Sequence, residues 1–247
     1  MLYWVLKAVV GPILAVLWQP RAEGVHHVPR SGPAIMASNH LSAFDHFFGA
    51  LPLRRKITFL AKQEYFTGTG AFGRVQRWFF RGVGTVPIDR SGGTAGEDAL
   101  HAGLRALGHG RLLGIYPEGT RSPDGRLYRG KTGVARLVLR SRAPVIPMAM
   151  TNVDRIMSAR RVVPRLGTRP GVRFGAPLDF SRYYGMEHDP LVLRAVTDEI
   201  MYTLMQMSGQ EYVDRYAQEV KEERRQRSRA HRARDGTSGR PLPGESP

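Results

Sequence analysis

The chain has 247 residues, carries 37 Lys+Arg against 21 Asp+Glu for a formal net charge of +16, and contains no cysteine. That length suits one large domain, or one domain with appendages, able to bury a substantial core. The absence of thiols excludes a cysteine nucleophile, a disulfide framework and a thiolate metal site and fits a reducing compartment, while the charge asks for anionic partners: nucleic acid, an acidic lipid surface or phosphorylated substrates.

Residues 2–18 are apolar except for Lys7, with Tyr3, Trp4 and Trp18 near the ends. Aromatic ends on an apolar segment suit a membrane interface. The segment is at the short limit for a span, which needs about 20 residues. Gly11-Pro12 is expected to split it into two short helices. It has no basic start and no small-residue cleavage site, which argues against a signal peptide. The expectation is a helical hairpin or bent helix lying in one leaflet. An ordinary N-terminal helix packed on the domain is the alternative.

From residue 24 to 180 the pattern alternates. Strands are expected at 34–38, 57–61, 84–88, 112–116, 145–150 and 171–174, and helices at 44–51, 70–80, 95–108 and 133–142. Alternation of this kind predicts an α/β domain with a mostly parallel sheet flanked by helices. Pro190 can open a further helix to about Tyr216, with apolar Leu193, Val196, Ile200, Leu204 and Met207 on one face. Residues 219–247 are basic and then Gly/Ser/Pro-rich, so they are expected to be disordered apart from a helical start. No aromatic residue lies among the arginines to stack bases, which disfavours nucleic acid; anionic lipid accounts for the charge equally well, and an inert solvated tail is the remaining alternative. The expected organisation is therefore a membrane-interacting helical segment (1–20), an α/β domain (21–217) and a basic, largely disordered tail (218–247).

The chemistry concentrates after the first apolar strand, in Asn39 followed by His40-Leu41-Ser42-Ala43-Phe44-Asp45. Residues five apart face different ways on one helix, so His40 and Asp45 meet only if the chain turns between them. Asp45, in the first turn of the next helix, can then accept the Nδ1 proton of His40 and steady the imidazolium formed when Nε2 takes a proton. This is a base and its orienter without an evident protein nucleophile. Ser42 reads as a helix cap, with an acid three residues on, or as part of the turn that lets His40 and Asp45 meet. A metal site built from His40, Asp45 and His46 lacks a completing cluster. Two later strands end in arginine-bearing segments: Gly84-Thr85-Val86-Pro87-Ile88-Asp89-Arg90, and Tyr116-Pro117-Glu118-Gly119-Thr120-Arg121-Ser122. Ala143-Pro144-Val145-Ile146-Pro147 is a strand bracketed by prolines. Ligands of parallel sheets sit beyond the carboxyl ends of the strands. There Arg90 and Arg121, with Lys131 as a third cation, would suit a phosphate.

In this order the four segments resemble the blocks of the 1-acyl-sn-glycerol-3-phosphate acyltransferases, members of the wider glycerolipid acyltransferase superfamily. Tyr116 stands where that family usually has Phe, Pro87 where a larger apolar residue is common, and Ala143 in place of a frequent Val.

The resemblance implies a mechanism. His40, oriented by Asp45, would deprotonate the sn-2 hydroxyl of lysophosphatidic acid for direct attack on an acyl thioester, giving phosphatidic acid. Arg90, Arg121 and Lys131 would hold the acceptor phosphate, Glu118 would belong to the acceptor site or orient Arg121, backbone N–H groups near Gly119 and Thr120 would face the oxyanion, and Asn39 would brace the His40 loop. The donor would be acyl-CoA or acyl carrier protein, with no cofactor and no metal. The expected location is peripheral or monotopic, at the cytoplasmic face of the cell membrane. Another lysophospholipid, a glycolipid or an aminolipid is the alternative acceptor, and a non-catalytic lipid-binding module the alternative outside enzymes.

Overall fold

A computed structural model describes residues 2–62, 70, 73–74, 85–88, 95–156 and 164–237. The helix expected at 70–80 lies almost entirely outside the described residues, as do Arg90 and the last ten residues of the tail. The elements in chain order are α1 (Leu2–Trp18), β1 (Arg21–Glu23), β2 (Ala34–Ser38), α2 (Asp45–Ala50), β3 (Ile57–Lys62), β4 (Val86–Ile88), α3 (Ala95–Gly108), β5 (Leu112–Ile115), β6 (Leu127–Tyr128), α4 (Gly133–Ser141), β7 (Val145–Thr151), β8 (Gly171–Phe174), α5 (Pro190–Ser208), β9 (Tyr212–Val213) and α6 (Ala217–Thr237).

Seven strands form one sheet in the order β1-β8-β7-β2-β5-β3-β4, and β6 pairs with β9 separately. Every pairing in the large sheet is parallel except β7 with β8. The expected mixed α/β architecture with a mostly parallel sheet is therefore present. β2 lies near the middle and all five of its residues are buried, which is why its sequence is an unbroken apolar run rather than an alternating one. Its side chains still alternate between two cores. Ile35 and Ala37 join Leu113 and the apolar stripes of α3, α4 and α5, including Leu107, Val138 and Ile200. Ala34 and Met36 join Leu14, Trp18, Phe48, Ile146 and Met148 on the opposite face. Gly114 sits between β2 and β3 because any Cβ there would lie 2.2 Å from the Phe59 ring.

Two expectations are corrected. First, residues 2–18 form one uninterrupted helix containing Pro12. The proline removes a single intrahelical hydrogen bond, and packing supplies the compensation. Gly11, Leu14 and Trp18 are buried, and Trp18 donates from Nε1 to the Arg165 carbonyl at 2.8 Å. Lys7, the polar exception in the segment, points inward and donates to the carbonyls of Ala50 (3.0 Å) and Leu53. Burial lowers its pKa. The outer face stays apolar and exposed at Trp4, Val5, Val9, Ile13, Val16 and Leu17. Among the described residues no helix is long and apolar enough to cross a membrane.

Second, the helix opened by Pro190 stops at Ser208 rather than near Tyr216. Asp189 caps its start by accepting from Leu191 and Val192 N–H groups, and Gly209 ends it at φ 68°. The helical start expected for the tail is present. α6 runs to Thr237, its first turns anchored by Ala217 and Val220 packing on Tyr128.

Candidate active site

Register brings the site together. Ala37 pairs with Ile115 across β2 and β5, so His40 and Glu118, each three residues further on, leave adjacent strands at the same level. The His40 N–H donates to Glu118 Oε1 at 3.1 Å. The Tyr128 N–H donates to Glu118 Oε2 at 3.0 Å. The carboxylate thus ties the His40 loop to β6. Burial raises it from 4.5 to about 7, against the pull of those two N–H groups. No ion pair joins Glu118 to Arg121 among the described residues.

The chain turns between His40 and Asp45 as their spacing required. His40 Nδ1 lies 2.8 Å from Asp45 Oδ2, with the carboxylate fully buried and the imidazole 13% exposed. The same oxygen accepts the Leu41 and Ser42 N–H groups at 2.7 and 2.9 Å. An anionic Asp45 makes Nδ1 the protonated nitrogen, which leaves Nε2 as an acceptor able to take a proton from a hydroxyl. Ser42 is not the helix cap. Phe44 occupies that position, and Ser42 is buried in the turn, with its Oγ 3.4 Å from the Phe44 N–H. The reverse arm of the expected capping box, Asp45 to the Ser42 N–H, is the part that forms.

The walls around the imidazole are aromatic. Tyr116 stacks on His40 with centroids 3.8 Å apart and planes 13° from parallel. His46 meets the edges of Tyr116 and Phe59 at 5.2 and 4.5 Å. Burial, reinforced by the neighbouring His40, holds His46 at about 4, so it is neutral at physiological pH. Burial, and then Asp45, push the Tyr116 hydroxyl well up. These groups make a low-dielectric lining that strengthens the hydrogen bond between His40 and Asp45.

Asn39 is the bracket beneath. Its Oδ1 accepts the Met150 N–H at 2.7 Å, and its Nδ2 donates to the Met150 carbonyl at 2.9 Å and to Gln210 Oε1 at 2.6 Å. Gln210 donates onward to the Gly125 carbonyl at 2.6 Å.

Residues 19–151 match the family model described as Acyltransferase. The chain belongs to this acyltransferase family. Over 137 residues it is 31% identical to the "1-acyl-sn-glycerol-3-phosphate acyltransferase LPAT1, chloroplastic" of Arabidopsis thaliana, covering 55% of this chain and 36% of that one. Over 149 residues it is 28% identical to the "1-acyl-sn-glycerol-3-phosphate acyltransferase alpha" of Mus musculus, covering 60% and 50%. The chain spans half or less of the length of these curated relatives. Among solved structures, the 1-acyl-sn-glycerophosphate (LPA) acyltransferase PlsC of Thermotoga maritima superposes with a TM-score of 0.58 at 20% identity, covering 81% of this chain and 80% of that one. That likeness shows a shared fold.

In this acyltransferase-family chain the structure brings together His40, Asp45, Asn39, Glu118, Gly119, Thr120, Arg121 and Lys131. The Ser122 N–H donates to the His40 carbonyl at 2.7 Å, and the Lys131 N–H to the Pro117 carbonyl at 2.8 Å, so the Arg121 loop is held against both. Gly119 takes φ +72°, and a Cβ there would meet the Lys131 stem at 3.3 Å; Lys131 therefore lies directly over the loop. The expectation for a Gly119 oxyanion donor is corrected, because its N–H already donates to the Tyr116 carbonyl at 2.9 Å. Sequence reasoning missed the stacking role of Tyr116, the neutral His46, the Tyr128 anchor and the Gln210 bracket. Tyr116 was visible beside the Glu-Gly-Thr-Arg motif; Gln210, 171 residues from Asn39, carried no signal.

Proposed function

We propose that this protein transfers a fatty acyl group from an acyl thioester to the free sn-2 hydroxyl of 1-acyl-sn-glycerol 3-phosphate, yielding phosphatidic acid. The observation that carries the reading is the 2.8 Å contact between His40 Nδ1 and the fully buried Asp45. A binding module needs no oriented base. The names of the curated relatives support the acceptor class.

In this mechanism His40 Nε2 takes the hydroxyl proton as the oxygen attacks the thioester carbonyl. The tetrahedral intermediate collapses with cleavage of the C–S bond, and the imidazolium returns its proton to the departing thiolate. Asp45 stabilises the imidazolium throughout. No acyl-enzyme is needed, in keeping with the absence of cysteine. Arg121 and Lys131, with Arg90 by sequence, hold the acceptor phosphate and position the hydroxyl. Such positioning can supply up to about 7–11 kcal/mol of barrier reduction. The exposed apolar face of α1 lies in the membrane surface as a monotopic anchor on the cytoplasmic side, where lysolipid and product both reside. The donor is acyl-CoA or acyl carrier protein.

The test is acyl transfer by purified protein over a panel of lysolipid acceptors with both donors. His40→Ala is expected to reduce transfer about 10³-fold or more while vesicle binding persists. Activity near wild type in that variant would refute the base assignment. A wild type that acylates another lysolipid and leaves lysophosphatidate untouched would select the alternative acceptor class.

A further inference from the structure

The matched acyltransferase segment ends at residue 151, yet α6 reaches back to the catalytic loops. Lys221 donates from Nζ to Thr120 Oγ1 at 2.7 Å. Thr120 is next to Arg121, and two residues from the buried carboxylate that receives the His40 N–H. Gln218, one turn earlier, accepts from Lys131 Nζ at 3.2 Å. One turn later Arg224 donates to the Pro123 carbonyl at 3.0 Å and to Asp124 at 2.7 Å. The start of α6 is thus fastened along the loop that carries the Glu-Gly-Thr-Arg motif.

Its cations divide into two kinds. Arg224 is neutralised by Asp124. Lys221, Arg225 and Arg121 make no ion pair among the described residues. Lys221 is half-buried, and its pKa is lowered by burial and then by Arg121, with Arg225 acting in the same sense. Glu118 opposes them, but both of its oxygens are bonded to backbone N–H groups beneath the loop. Residues 221 and 225 are one turn apart and share a helix face. Like charges held together in this way repel, and an anion between them relieves the repulsion.

We propose that Lys221 and Arg225 of α6 belong to the acyl-acceptor site and, with Arg121, hold the phosphate monoester of the lysolipid. The assignment rests on the acyl-transfer reading above and extends the phosphate clamp beyond the four motif segments. It also gives the helix a use that its low apolar content leaves unexplained: α6 is retained against the domain so that its first turns can complete a substrate pocket.

The test is steady-state kinetics of the full chain with Lys221→Met, which keeps the stem and removes the charge, and with Arg225→Gln. Each is expected to raise the KM for lysophosphatidate about ten-fold, the loss attached to one charge-assisted hydrogen bond, with the KM for the acyl donor within about two-fold. Lys221→Arg should restore most of the affinity. A purely structural latch would instead lower the melting temperature and leave the acceptor KM unchanged, which overturns the proposal. A rise confined to the donor KM overturns it as well, by moving the site to the donor's phosphates. A second arm keeps the two readings separable: calorimetric binding of monomeric short-chain lysophosphatidate to wild type and Lys221→Met. Weakened binding in the variant upholds the anion site even in a preparation that transfers no acyl group; equal binding, or none to wild type, rejects it.

Discussion

Glu118→Gln offers the sharpest quantitative check on the site. Glu118 is 1% exposed, and burial moves its carboxyl from 4.5 to about 7. That shift corresponds to about 3 kcal/mol between the two protonation states. Between these values the folded chain retains a proton that the unfolded chain has released. Stability therefore falls as pH rises through the window and levels off above it. Glutamine does not titrate, but its amide nitrogen cannot accept, so one of the two backbone N–H groups that the carboxylate receives is left unpaired at every pH, at a cost of about 1–3 kcal/mol. At the lower end of the window the variant should therefore be the less stable of the two by about that amount. Across the window the difference should shift in the variant's favour by about 3 kcal/mol, because only the wild type loses stability there. Urea unfolding of the solubilised protein, followed by tryptophan fluorescence at several pH values, gives the difference directly. A stability difference that stays constant from pH 4.5 to about 7 would refute the assignment of a buried, proton-retaining carboxylate. Activity should fall in the variant, because the carboxylate positions the His40 backbone through the His40 N–H.

Two further outcomes follow from the geometry. Asp45→Asn should lower kcat by about 10²–10⁴, since an amide cannot both keep Nδ1 protonated and stabilise the imidazolium. Asp45 Oδ1 is buried with no partner among the described residues, so an amide nitrogen placed there lacks an acceptor and the variant should also lose about 1–3 kcal/mol of stability. A kcat within a few-fold of wild type would remove Asp45 from the mechanism. On α1, Ile13→Glu places a charge in the middle of the exposed apolar face and should weaken partitioning onto vesicles by about 2 kcal/mol, on the order of thirty-fold. Co-sedimentation with anionic vesicles reads this out, and unchanged binding would show that α1 does not face the bilayer.

What the amino-acid sequence determined by itself was what is local. β2, α3 and β8 were legible to within the residue because an apolar run or a 3.6-residue stripe, closed by turn residues, specifies an element without help from the rest of the chain. The same holds for His40 and Asp45, which meet through a turn of four intervening residues stabilised by the carboxylate they share. Tertiary structure decided everything that depends on register and on distant packing. Pairing of Ala37 with Ile115 turned Glu118 from a candidate acceptor-site residue or partner of Arg121 into the buried tie between two loops. Contact across the fold joined Gln210 to Asn39 and Lys221 to Thr120. Packing against the domain overrode the Gly11-Pro12 break and kept α1 in one piece, with Lys7 turned inward and Val5, Val9 and Val16 outward. Such contacts join segments whose separation in the chain carries no periodicity to read, so they become visible only when the sheet order brings the segments side by side.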